Sequence, residues 1–318
     1  MDNHEQAPAA TRRFSPVFGN LVAFLIFATF VVFVEYYFGW ARLLAPWAKL
    51  SPFKILIAAA VVFVSYAVRA LRIYHYFRAE MRGAYMLCFK LFLQHNVLNN
   101  LLPMRSGELS FPMLMSRYFS IRPVRSLPTL LWFRLLDLHT LLVIALFVTL
   151  DSAPPAFLFG AVTVCLPLPY VGFLISGRLL RWLEVRPGGK LRSLLTKVLL
   201  SLPQSSRAFW ITWLWTVLNW LAKLAAFAWV LSLFVDVSVV GAWLGVIAGD
   251  LTSILPVHSV AGAGTFEAGV VAALLPFVTS ADAALRAAVN LHLFLLGAAI
   301  LGGLISLMLP ARRPPLNP

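Results

Sequence analysis

The sequence predicts an all-α integral membrane protein with about six transmembrane helices. Two oppositely oriented re-entrant helical hairpins complete an inverted repeat. Three observations predict this. Hydrophobic residues make up 61% of the 318 residues and charged residues only 12%, where a soluble domain carries about 25% charged. Apolar runs near the roughly 20 residues a bilayer needs recur along the whole chain. The basic residues gather between those runs, in the manner of cytoplasmic loops.

Residues 1–16 read as a cytoplasmic tail. "TRRFSPVFGN" superficially resembles a twin-arginine signal, but Leu21–Trp40 is long for a signal core and lacks a small-x-small cleavage site. It is expected to be the first span, with Arg12 and Arg13 on its cytoplasmic side. The second span is expected at Phe53–Ile73, the third at Leu127–Leu150 and the fourth at Ala156–Ile175. The fifth is expected at Ala208–Phe234 and the sixth at Ala283–Leu309, before a short tail over 310–318.

Loop charge sets the orientation. Arg69, Arg72, Arg78 and Arg82 close the second span; Arg117, Arg122 and Arg125 precede the third. Arg178, Arg181, Arg186, Lys190, Arg192, Lys197 and Arg207 separate the fourth from the fifth. Turns near Asp151 and Asp236 carry no Lys or Arg, so both termini are expected in the cytoplasm. Arg42, Lys49 and Lys54 are discordant, because this orientation puts them outside.

Two apolar stretches, 84–118 and 241–277, are each broken by Pro and Gly and are too short to cross twice. Each must leave and return on one side, which describes a re-entrant hairpin, tolerated only where protein or a water cavity surrounds it. "LPMRSGE" (Leu102–Glu108) aligns with "LPVHSVAGAGTFE" (Leu255–Glu267). The chain thus reads span, span, hairpin, span over 17–150, and again, inverted, over 155–309. Such repeats mark transporters whose substrate is held near the midplane at broken helices.

Pro103 is expected to end one half-helix and Ser106 to cap the next, with Gly107 in the turn and Glu108 in its first turn. In the second hairpin Pro256 ends an arm, Gly262 and Gly264 turn the chain, and Thr265 caps with Glu267 following. A carboxylate there could merely complement the helix dipole, worth about 0.3–1 kcal/mol. At membrane depth an acid costs about 3 kcal/mol, which favours a functional role for Glu108 and Glu267. Arg105, beside a helix start, could hold a phosphate or only pair with Glu108; His258 is its counterpart. Arg134 and Asp137, three apart in "LWFRLLDLHTLL", can pair with each other or with the hairpin. Lys223 and Asp250 are further candidates inside apolar segments. Gly241, Gly245 and Gly249 repeat every fourth residue, a face for close helix packing.

Several functions are excluded. The net charge of +14 lies in loops rather than a basic domain, so no nucleic-acid partner is expected. Cys88 and Cys165 read as buried apolar side chains, and no Cys/His cluster points to a metal. "RPGGKLRS" lacks the first glycine and the Ser/Thr of a phosphate loop, and no hydrolase motif is present. Neither a cofactor nor an enzymatic activity is expected.

At these residues the chain resembles the transmembrane region of lysylphosphatidylglycerol synthases, a flippase-like membrane family. "NNLLPMRSGEL", "FRLLDL" and "LPVHSVAGAGTFEAG" look like that family's N-x-x-P-x-R-x-G-E, E-R-x-x-D and P-x-x-x-G-G-x-G-x-x-E patterns. The resemblance covers nearly the whole chain and points to Asn99, Pro103, Arg105, Gly107, Glu108, Arg134, Asp137, Pro256, Gly262, Gly264 and Glu267. It departs at Phe133, where the family carries an acid, at Ser110 and Phe111, at Ala261 for a glycine, and at His292 for an arginine. Full-length synthases carry an aminoacyl-transfer domain that this sequence lacks, so the resemblance implies the translocating part alone. The expected partner is a membrane lipid: a phospholipid, a polyprenyl-phosphate-linked lipid or a hopanoid. Arg105 and Arg134 would hold its phosphate, and Glu108, Asp137 and Glu267 would be counter-charges or proton carriers. The alternative is a scaffold that presents lipid to a separate enzyme. The expected location is the cytoplasmic membrane, and a homo-oligomer is compatible with the sequence.

Overall fold

The computed structural model describes residues 25, 28, 29, 31–36, 39–149, 154–185, 188–203, 205–252 and 260–311; the side chains of residues 103–105, 155, 158 and 260 are not described. In chain order the helices are α1 (Trp40–Lys49), α2 (Pro52–Tyr76), α3 (Arg78–Met81), α4 (Tyr85–Leu101), α5 (Ser110–Phe119), α6 (Pro123–Val148), α7 (Pro155–Cys165), α8 (Leu168–Glu184), α9 (Lys190–Leu200), α10 (Ser206–Ser232), α11 (Val239–Thr252), α12 (Thr265–Leu274) and α13 (Ala281–Met308). No strand occurs among the described residues.

Five stretches are long and apolar enough to cross a membrane: Pro52–Tyr76, Pro123–Val148, Phe159–Glu184, Ser206–Ser232 and Ala281–Met308. The protein is therefore a multi-pass, all-α membrane protein. The expected first span falls mainly outside the described residues, although 31–36 is helical. The fourth span is displaced from its expected place. It runs to Glu184 and breaks at Leu166–Pro167, where proline has no N–H to continue the ladder. Arg178 and Arg181 consequently lie within α8 rather than in a loop. The discordant Arg42 and Lys49 sit on the exposed face of α1, a short amphipathic helix with Leu43 turned inward. Asn290 of α13 fixes α1: Trp47 Nε1 donates to its Oδ1 at 2.6 Å, and its Nδ2 donates to the Leu43 carbonyl at 2.8 Å.

The core forms between α2, α4, α10 and α13, with α6 against them. By contrast, α7 exposes Phe157, Phe159 and Val164, and α8 exposes Val171, Leu174 and Ile175 and buries only Leu183. In a membrane these apolar faces meet acyl chains. Arg72 reaches Thr216 and Arg69 faces Trp220, so α2 and α10 run antiparallel. Their C-terminal ends therefore lie at opposite ends of the bundle.

The two broken stretches leave from those opposite ends. After α2 the chain rises through α4, turns in a 3-10 segment over Pro103–Leu109 and returns through α5. After α10 it rises through α11 and returns through α12 and Leu275–Phe277. The turn between α11 and α12 includes residues 253–259, outside the described set, and resumes at Val260–Gly262. The described parts of the two turns meet tip to tip.

The glycine row closes the second hairpin. A Cβ on Gly241 would lie 2.7 Å from Phe277, one on Gly245 3.0 Å from Leu274, and one on Gly249 2.7 Å from Val270. Any side chain there would push the two arms apart.

Candidate functional site

Charged residues deep in a membrane bundle must be paired or lie against water. Here they gather around one cavity of about 120 Å³ at the meeting point of the hairpin tips. Helix α2 contributes Ser65, Tyr66 and Arg69. The first hairpin contributes Asn96, Asn99, Asn100 and Glu108, and α6 contributes Arg134. Helix α10 adds Trp220, Lys223 and Phe227; the second hairpin adds Asp250, Ala261, Gly262 and Phe266; α13 adds His292. Arg134 is the twelfth of the 26 residues of α6, close to mid-span.

The pairs link separate elements. Arg134 Nη2 lies 3.1 Å from Glu108 Oε1, tying α6 to the first hairpin. Lys223 Nζ donates to Asp250 Oδ1 at 2.7 Å, tying α10 to the second. The Lys223 ammonium also lies over the Trp220 and Phe227 rings, 4.6 and 5.0 Å from their centres, a cation–π attraction that gains strength away from water.

Of the two alternatives for Arg134, the hairpin partner is the one observed, because Asp137 is engaged elsewhere. Arg72 grips Asp137 in a fork, Nη1 to Oδ1 at 2.5 Å and Nη2 to Oδ2 at 3.3 Å, and Trp220 Nε1 donates to Oδ1 at 2.8 Å. Both partners are buried. Asp137 lines a smaller adjoining cavity of about 50 Å³, whose wall includes Arg69, Asn96, Asn99 and Arg134. Phe133, which stands where the family pattern has an acid, lies 4.5 Å below the Arg72 guanidinium.

Glu267 is buried behind the cavity wall. Its Oε2 accepts from the Gly264 N–H at 2.7 Å, and its Oε1 lies 2.7 Å from His292 Nδ1. The helix start falls at Gly264 rather than at Thr265, whose Oγ1 donates to the Gly262 carbonyl instead. Ser106 likewise does not begin a helix. The 3-10 turn carries the chain on to Ser110, whose Oγ donates to the Gly107 carbonyl at 2.6 Å and lies 2.8 Å from His95 Nδ1. Gly107 is dictated by close approach: a Cβ there would sit 2.4 Å from Asn99 Cα and from the Leu98 carbonyl oxygen.

The structure thus brings Asn99, Glu108, Arg134, Lys223, Asp250 and Gly262 to one cavity, sets Asp137 beside it and Glu267 behind it. The side chains of Pro103 and Arg105, and all of Pro256 and His258, lie outside the described residues. The sequence reading missed Arg69 and Arg72 by treating them as loop charges at the end of a span. Helix α2 continues to Tyr76 and turns both inward. The signal was present in "SYAVRALR": Ser65, Arg69 and Arg72, spaced at four and three, form a polar stripe on one face of an apolar helix. Among the described residues no group of three His, Cys, Asp or Glu side chains is placed to hold a metal ion.

Chemically, the arrangement can receive a small anionic or zwitterionic group in a low-dielectric setting, where charge pairing is strong. No curated protein matches the chain. The model of the lysylphosphatidylglycerol synthase TM region matches residues 20–303, nearly the full length, and the chain belongs to that family.

Proposed function

We propose that this protein translocates a phospholipid or polyprenyl-linked lipid between membrane leaflets, its polar headgroup passing through the central cavity. The observation that carries this reading is the cavity itself. It lies at the junction of two hairpins that enter from opposite ends of the bundle, and three cations and two carboxylates line it. A headgroup crossing a bilayer needs a polar stopping place near the midplane, and broken helices provide one. The lipid-facing α7 and α8 leave room for acyl chains to stay in the bilayer meanwhile. The family's name supports a lipid as the cargo.

The two halves act in this reading as inverted repeats, each hairpin gating one side. The end of the bundle where α2 finishes gathers Arg78, Arg125 and Arg207 around one groove and Arg122 and Lys197 around the next. Positive charge of this density marks the cytoplasmic face, here of the cell's inner membrane. Binding and passage are favoured over catalysis because Glu108, Asp250 and Glu267 are each already committed to a basic partner.

The test is leaflet exchange of a labelled phospholipid in liposomes containing the purified protein. Exchange should exceed that of empty liposomes and fall toward that baseline in Lys223→Ala and in Arg134→Ala. If a broad panel of lipids shows no exchange, the protein is a lipid-presenting scaffold instead.

A further inference from the structure

Among the described residues, each cation of the site has a carboxylate within ion-pair distance except one. Arg134 has Glu108, Lys223 has Asp250 and Arg72 has Asp137. Arg69 makes no hydrogen bond or ion pair with any described residue, and its buried Nε has no acceptor. It is clamped between two rings, its guanidinium carbon 5.8 Å from the Phe92 centre and 5.7 Å from that of Trp220. The clamp fixes the group in place, while Asp137 and Asp250 act on it only through space and neither touches it. Arg69 lines both the central cavity and the smaller one beside it. In sequence, residues 103–105 and 253–259 include an arginine and a histidine but no Asp or Glu. The neighbouring carboxylates are occupied: Asp137 by the Arg72 fork and Trp220, and Glu267 by Gly264 and His292.

A buried cation with no directly bonded partner is costly, and a planar guanidinium presents a fork that matches phosphate oxygens. We infer that Arg69 is the seat of the cargo's phosphate, and that the cargo is a lipid with one net negative charge on a phosphodiester. The inference rests on the lipid-passage reading above and narrows it. A zwitterionic headgroup would bring an ammonium to carboxylates that each already face a base. An aminoacyl ester of phosphatidylglycerol, with net positive charge, would place a second cation beside Arg69, Arg134 and Lys223.

The experiment uses the full chain in detergent, with lipid binding followed by native mass spectrometry and by thermal shift. Phosphatidylglycerol should bind more tightly than phosphatidylethanolamine or lysyl-phosphatidylglycerol. Arg69→Gln should weaken phosphatidylglycerol by about ten- to hundredfold, the range for lost hydrogen bonds to a charged group, and abolish the preference. Arg69→Lys should retain part of it, since the charge survives without the fork. Without lipid, Arg69→Gln should melt no lower than wild type, because it removes a charge that no described group bonds directly. A clear fall in melting temperature would instead show a structural cation and overturn the proposal. Equal binding of the three lipids, or an unchanged affinity in Arg69→Gln, would also overturn it. So would inorganic phosphate competing as well as the lipid, since the site would then serve a free anion. Leaflet exchange tells the two readings apart. Arg69-dependent binding without exchange leaves this inference standing and removes translocation, and exchange indifferent to Arg69→Gln does the reverse.

Discussion

Asp137 carries more of the structure than its neighbours on the cavity wall. Three hydrogen bonds hold it, two from one guanidinium and one from an indole, and it is only 6% exposed. Removing one partner of a buried pair leaves the other charge stranded, at about 3–5 kcal/mol. Asp137→Ala should therefore lose that much stability in a detergent unfolding measurement, whereas a double variant, Asp137→Leu with Arg72→Met, should recover most of it. Recovery would show that the pair is architecture rather than cargo binding. Ala261 presents the opposite case. It holds φ at +56°, a region costing a side-chain-bearing residue about 1–2 kcal/mol, where the family pattern has glycine. Ala261→Gly should raise stability by about 1 kcal/mol in the same measurement. Unchanged stability would mean that the backbone relaxes at no cost. At this scale the sequence exposed the pairing capacity of Arg134 and Asp137, because charges in an apolar run stand out. It concealed Arg69 and Arg72, because arginines at a span's end read equally well as loop charge.

The hairpins show what local rules reach and where they stop. Proline and glycine in apolar stretches predicted two breaks, and the breaks are there, since neither residue sustains a helix interior. Capping rules predicted where the second arms begin and missed both positions. In the first hairpin the 3-10 turn presses Gly107 onto the backbone of Asn99, and this non-local contact sets the geometry that Ser106 alone suggested otherwise. Gly107→Ala must force that turn away from α4, at about 1–3 kcal/mol for an overpacked site. Because Glu108 is the next residue, the same change should also separate it from Arg134. The expected result is a lower melting temperature together with slower leaflet exchange. A stable but inactive variant would indicate that the turn yields and only the ion pair is lost.

For the whole molecule, the antiparallel pairing of α2 and α10 puts Ser205 and Ser280 at opposite ends of the bundle, both exposed. In a background with Cys88→Ala and Cys165→Ser, cysteines at these two positions should react with an impermeant thiol reagent from opposite sides of the membrane. Same-side labelling would refute the inverted arrangement. Apolar runs and their Pro and Gly breaks made the helical membrane architecture legible, whereas the fourth span slipped because its boundary depends on a proline break that hydropathy does not register. Helix α13 touches α1 and both hairpins. Through Asn290 it holds α1, through His292 it holds the second hairpin, and through Gly302 and Gly303 it lies against Leu93 and Val97 of the first. Ten residues, about 15 Å of helix, separate the contact with one hairpin from the contact with the other. In the proposed translocation it would act as a lever joining the two hairpins: a tilt that draws one tip inward would let the other swing out. A Cβ on Gly303 would lie 3.3 Å from that of Val97, near the span of a disulfide. Val97→Cys with Gly303→Cys should therefore lock the lever when oxidised, stop exchange, and release it on reduction, which would make two gates that never open together a property of a single rigid rod.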